Sequence, residues 1–260
     1  MHNATKIYNF SIAMDIKEEE EIKKEFQLER IILFSDAVFA IIITIMVLEI
    51  KLPEGLRHAE RKEIKHALFE LMPRLFGYVT AFFFVGMFWL KHLKIFSYLK
   101  DYSKGLIIWN LVFLFFISLF PFGVSVMTET LGPANTIGIF IYFNVIAFSV
   151  MGQTLLTRYL IKHAATLCIK PHQIETNLQW KVQRTNFVTL PLLCIFVSFF
   201  VYYEADTQFI SVGFIIWALA MARFRRKYYP GDTNNKPMIK RLFASRKRKP
   251  VAIAPSPESN

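Results

Sequence analysis

The chain has little of what most catalytic or cross-linked proteins need. It holds two cysteines in 260 residues, and charged residues make up only 20% of it. Cys168 and Cys194 match neither a metal-ligand spacing nor a Cys-x-x-Cys redox pair, which leaves them as small apolar fillers and excludes a disulfide-stapled domain. His-Glu-x-x-His and Gly-x-Ser-x-Gly are absent, and no pair of acids stands at catalytic spacing in the apolar runs. His2, His58, His66, His163 and His172 fall in arms or loops, where solvation is the simpler reading than metal binding. Neither an enzyme nor a cofactor is expected, and no catalytic residue is assigned. The first 29 residues carry the acidic run 18–21 and lack the apolar core of a signal peptide.

What is present is apolar surface. Hydrophobic residues make up 54% of the chain and aromatics 16%, with 27 Phe, and the mean hydropathy is +0.35. That composition does not fit a water-soluble domain. A bilayer core of about 30 Å needs about 20 helical residues, and six segments qualify: 31–50, 75–90, 105–128, 130–157, 185–203 and 207–222. Each is continuously apolar rather than alternating, which argues against barrel strands. Pro121 and Pro191 fall inside the third and fifth segments and are expected to kink them. The second segment is short, and the flanking Arg74 and Lys91 can lengthen it by snorkelling. The fold class predicted is all-α, a six-helix transmembrane bundle.

The distribution of the 31 Lys and Arg sets the orientation. With six spans, 25 of them fall on the side of both termini, which the positive-inside rule places in the cytoplasm. The other six lie in 51–74, where Leu56, Ile64, Leu68 and Leu71 at near-helical spacing predict an amphipathic helix on the outer surface. Three parts are therefore expected: a cytoplasmic acidic arm over 1–29 whose last turns enter the first helix, a six-span domain over 30–226, and a basic, proline-containing disordered cytoplasmic tail over 227–260. The cluster Arg246 to Lys249 in that tail suits anionic lipid headgroups. No folded module accompanies it, so the formal charge of +11 is not a nucleic-acid footprint.

Charge inside a span is costly and marks function. Asp36 is the one such group well inside a segment. At about 100° per residue, Phe34, Ile41, Thr44, Ile45 and Leu48 stack on one narrow face of the first helix, while Ser35 and Asp36 fall on the opposite side. The polar pair is expected to face the bundle and find donors there, with Trp89 and His92 on the second span and Trp109 and Asn110 on the third as candidates. The apolar stripe either packs against helices or lipid, or lines a symmetric pore.

Arg30-x-x-x-Phe34-Ser35-Asp36 at the start of the first span, followed by Ala40-Ile41, Thr44 and Val47-Leu48-Glu49, resembles the hallmark of the transmembrane protein 175 family of potassium channels. Trp89-x-x-His92, Asn110 and Phe120-Pro121-Phe122 are also similar to that family's pattern, and the six-span layout covers residues 30 to about 226. The motif occurs once, as in the single-repeat prokaryotic members, which assemble as tetramers. The resemblance implies a potassium-permeable cation channel in the cell membrane, a bacterial inner or plasma membrane, with the first helices of four subunits around a central pore. Ile41, Ile45 and Leu48 would form apolar gate rings and Thr44 a hydroxyl layer. Arg30, Phe34, Ser35 and Asp36 would tie the pore helix to its surroundings through Trp89, His92 and Asn110. No metal site beyond permeating K+ is implied.

A ring of Ile and Leu blocks permeation because a cation cannot exchange its hydration shell for methyl groups. The filter run Thr-Val-Gly-Tyr-Gly is absent, and Gly77-Tyr78-Val79-Thr80 is only an echo of it. Selectivity would then rest on the width of the opened ring and on oxygens such as that of Thr44. Two rivals stand beside the channel: a proton or cation carrier that titrates Asp36 and His92, and a helical scaffold without transport.

Overall fold

The computed structural model describes residues 2–50, 61–130, 137–203 and 207–230. The main helices are α1 (His2–Ile45), α2 (Arg61–Glu70), α3 (Met72–Phe96), α4 (Lys104–Ser118), α5 (Phe120–Glu129) and α6 (Ile137–Lys162). Three short helices follow, α7 (Ala164–Leu167), α8 (Pro171–Asn177) and α9 (Trp180–Gln183), before α10 (Asn186–Tyr202) and α11 (Thr207–Tyr228). Among the described residues, five stretches are long and apolar enough to cross a membrane: Ile16–Glu49, Arg61–Phe96, Lys104–Glu129, Ile137–Lys162 and Trp180–Tyr202. The sixth expected segment is helical as α11, 22 residues long, and stands outside those five.

Several boundaries differ from expectation for local reasons. The N-terminal arm, expected to become helical only in its last turns, is helical from His2 and continuous with the first span. At its other end α1 stops at Ile45, and residues 46–49 tighten into a 3-10 turn. Pro121 breaks the third segment: α4 ends at Ser118, and α5 starts at Phe120 with the proline in its first turn, where its missing N–H costs nothing. Pro191, by contrast, lies within α10 without ending it. The expected amphipathic helix is present over α2, with Ile64 half-buried and Leu68 exposed. Its Leu56 and the tail from 231 onward, with Arg246 to Lys249, lie outside the described residues.

The helix α6 is the centre of the bundle. One side packs along α4 and α5, and the other packs on α10 through Phe143, Ala147, Leu190, Leu193 and Val197. Gly152 permits close approach to α4, because a Cβ there would lie 3.2 Å from the Phe113 Cα. The larger cluster joins α1, α3, α4, α5 and α6 through Phe39, Met46, Val85, Phe113, Phe120 and Leu156, all nearly inaccessible. The Ser103 hydroxyl caps α4 by accepting from the Leu106 N–H at 3.2 Å. The α3–α4 and α7–α8 connections are stitched by the Lys100 N–H to the Leu167 carbonyl at 2.9 Å and the Ile169 N–H to the Tyr98 carbonyl at 3.0 Å. This stitch buries Cys168 beside Leu99.

Candidate functional site: the two faces of the first helix

Burial along α1 divides as the 3.6-residue period dictates. Ser35, Phe39, Ile42 and Met46 are buried against α3, α4 and α5, at 0%, 1%, 5% and 0% exposure. The other face carries Phe34, Ile41, Thr44, Ile45 and Leu48, all exposed in the single chain, with Leu48 at 71%. A surface helix normally hides its apolar stripe and exposes its polar one. Here the outward stripe is itself apolar, so its natural cover is lipid or further copies of the chain.

Leu48 lies in the 3-10 turn, where residues three apart eclipse each other. The 100° step used for an α-helix therefore fails after Ile45, and Leu48 stacks more directly above Ile45 than the sequence geometry implies. Thr44 uses its proton within the helix: its Oγ1 donates to the Ala40 and Ile41 carbonyls at 3.0 and 2.9 Å. The lone pairs of that oxygen remain available on the exposed face as acceptors.

The polar side of α1 is held by two separate links rather than one four-residue network. Asp36 Oδ1 accepts from Trp89 Nε1 of α3 at 2.8 Å. Ser35 Oγ accepts from Asn110 Nδ2 of α4 at 2.9 Å and donates to the Ile31 carbonyl at 2.9 Å. Asn110 Oδ1 pairs with His92 Nε2 at 2.8 Å. A carbonyl oxygen only accepts, so His92 carries a proton on Nε2, and a directional chain runs His92 to Asn110 to Ser35 to Ile31. Aromatic rings enclose that imidazole: Phe96 stacks at 4.2 Å between centroids, Phe113 at 5.9 Å, and Phe39 tilts in at 5.7 Å. Asp36 and His92, paired in the carrier reading, thus bond to different partners. Trp109 packs against the core cluster instead of reaching Asp36. Arg30 and Phe34 are exposed, whereas Ser35 and Asp36 of that motif hydrogen-bond to neighbouring helices.

Among the described residues, no group of three or more His, Cys, Asp or Glu could hold a metal ion. What the arrangement can do is hold one helix firmly by its polar side while offering on the other an apolar stripe with one hydroxyl acceptor, that of Thr44. The bundle and this two-faced helix define a polytopic helical membrane protein. The family model for endosomal/lysosomal potassium channel TMEM175 matches residues 30–121, a range that contains every residue of the stripe and of both links. The chain belongs to the TMEM175 family, a family of channels rather than of enzymes.

Its relatives include a potassium channel of Chryseobacterium sp., 37% identical over 131 residues, 47% of this chain and 62% of that protein. A potassium channel of Chamaesiphon minutus is 30% identical over 147 residues, 56% of this chain and 70% of that protein. The endosomal/lysosomal proton channel TMEM175 of Danio rerio is 23% identical over 232 residues, 87% of this chain and 44% of that protein. The chain thus spans under two thirds of the Chryseobacterium channel and less than half of the Danio rerio one. The fold is similar to the crystal structure of a lysosomal potassium-selective channel TMEM175 homolog from Chamaesiphon minutus, with TM-score 0.58, 23% identity, and coverage of 75% of this chain and 98% of that one.

Proposed function

We propose that the chain is a potassium-permeable cation channel of the cell membrane. Six spans place both termini in the cytoplasm, and four copies surround a central pore with their first helices. The observation that carries this reading is the exposed stripe of Ile41, Thr44, Ile45 and Leu48, on a helix whose opposite face is held by Asp36–Trp89 and Ser35–Asn110. One stripe cannot surround an ion, so a pore requires copies related by cyclic symmetry.

In that assembly Ile41, Ile45 and Leu48 form successive apolar rings that exclude water and hence cations until they widen or rotate away. Thr44 presents acceptor oxygens between them, its proton being engaged with the Ala40 and Ile41 carbonyls. Arg30 and Phe34, exposed in the single chain, are placed to contact neighbouring subunits. The absence of a Thr-Val-Gly-Tyr-Gly run assigns selectivity to ring width and to these hydroxyls. The carrier reading has less support, since Asp36 and His92 share no hydrogen bond and lie on the face turned from the stripe.

The test is potassium flux from liposomes holding the purified protein. The native chain passes potassium down its gradient without requiring a pH gradient, and Ile41→Asn or Ile45→Asn gives a leakier pore. Flux unchanged by both substitutions removes the apolar gate. A required proton counterflux favours the carrier, and no flux from any variant favours the scaffold.

A further inference from the structure

Where α3 and α11 finish, at one end of the bundle, α3, α6, α9 and α11 surround a cavity of about 510 Å³. Three cationic side chains line it, Lys91 and Lys94 from α3 and Arg225 from α11, and no Asp or Glu does. The Lys91 ammonium lies 5.8 Å from the Phe88 ring centroid. Like charges gathered in a partly enclosed space repel, and an anion placed among them relieves that repulsion.

Two buried polar atoms without a partner belong to residues of the same lining. Trp217 Nε1 can only donate, and Asn186 Oδ1 can only accept. Asn186 is 6% exposed, and its Nδ2 is already committed to Thr154 Oγ1 at 3.0 Å. The cavity therefore offers cations to an anion, and its wall includes residues with a donor and an acceptor that have no partner within the protein. Leu90 and Leu219, on the helices that supply the three cations, are 59% and 64% exposed and give those helices apolar surface.

We propose that this cavity binds a phosphate ester bearing a free hydroxyl, and that its source is the headgroup of an anionic phospholipid. Lys91, Lys94, Arg225 and the Trp217 N–H hold the phosphate oxygens, and Asn186 Oδ1 accepts from the hydroxyl. The acyl chains run along the exposed leucines, which a free phosphate ester would not use. The site lies apart from the α1 stripe and does not depend on conduction.

The experiment follows thermal unfolding of the full chain in neutral detergent, titrated with short-chain phosphatidylglycerol, short-chain phosphatidylcholine or glycerol phosphate. Phosphatidylglycerol alone should give a saturable rise in Tm. An equal rise with glycerol phosphate would assign the site to the free ester and overturn the lipid source. No rise with either anion, or an equal rise with phosphatidylcholine, overturns the site itself. Lys94→Gln with Arg225→Gln should weaken the phosphatidylglycerol midpoint about tenfold or more, whereas Lys104→Gln, outside the cavity, should leave it in place. Trp217→Phe, which removes the N–H and keeps a ring, should weaken it in the same direction and serves if the double variant does not fold. Native-like midpoints in the folded cavity variants would overturn the assignment.

Discussion

The indole N–H of Trp89 donates to Asp36 at 2.8 Å, joining the second membrane segment to the acid near the middle of the first. Ser35, the preceding residue, turns to a different helix and meets Asn110. Two adjacent side chains thus brace one helix from two directions, which restricts rotation about its axis as well as separation.

The Trp89 bond supports a first prediction. Asp36→Asn keeps an oxygen that can accept from the indole, so it should cost about 1 kcal/mol of stability or less. Trp89→Phe leaves a partly buried carboxylate without its donor and should cost more, about 1–3 kcal/mol plus lost packing. Denaturant unfolding in detergent compares them. A larger loss for Asp36→Asn than for Trp89→Phe would refute the assigned direction of dependence.

Asn110 should be the most sensitive member of the second link. Asn110→Ala orphans His92 Nε2 and takes away the donor to Ser35 Oγ, which keeps only its bond to the Ile31 carbonyl, whereas Ser35→Ala orphans only the Asn110 amide. Each buried unpaired group costs about 1–3 kcal/mol, so the asparagine variant should be destabilised further than the serine variant. Equal melting temperatures for the two would argue against a chain passing through Asn110.

Adjacent isoleucines should behave oppositely. Ile42 is 5% exposed and fills the core, so Ile42→Ala should cost about 2–5 kcal/mol. Ile41 is 55% exposed, and Ile41→Ala should cost within about 0.5 kcal/mol of the chain's own stability while altering ion flux. Paired unfolding and flux measurements separate the two roles. A stability loss at Ile41 as large as at Ile42 would mean that its face is structural.

Cys168 provides a pH test outside the spans. Burial pushes its thiol up to about 11, only partly opposed by the Lys100 charge, from an ordinary value of 9.0. The native state therefore holds the proton more tightly than the unfolded chain. The resulting stability is complete below pH 9 and declines as pH rises from 9 towards 11. At pH 8, maleimide should label Cys168 slowly in the folded protein and quickly after denaturation. Rapid labelling of Cys168 itself in the folded chain, distinguished from the half-buried Cys194 by peptide mapping, would contradict this burial.

The two-faced first helix was readable because a 3.6-residue period needs no knowledge of partners. Its buried and exposed sides follow from 100° steps alone, from Phe34 through Ile45. Leu48 marks where that arithmetic stops, since the change to 3-10 winding at Met46 depends on how the chain leaves α1. The candidates for the polar side were legible as residue types. Their pairing was not: Trp89 and His92 are nearly one turn apart on α3, and only the relative rotation of α1, α3 and α4 gives the acid to the indole and the serine to the amide. The short α7, α8 and α9 lay inside a loop read only for charge. The cavity beneath them needs residues from Lys91 to Arg225, a separation across which no local pattern carries information.

The unbroken winding of α1 has a mechanical meaning. At about 1.5 Å per residue, its 44 residues reach about 66 Å, roughly twice the hydrocarbon thickness of a bilayer. No proline or glycine interrupts it between His2 and Ile45. Torque applied to the half outside the bilayer would have no hinge in which to dissipate before Ser35 and Asp36. Those two anchors are where a twist of the rod would be resisted, and where yielding would turn the isoleucines beyond them.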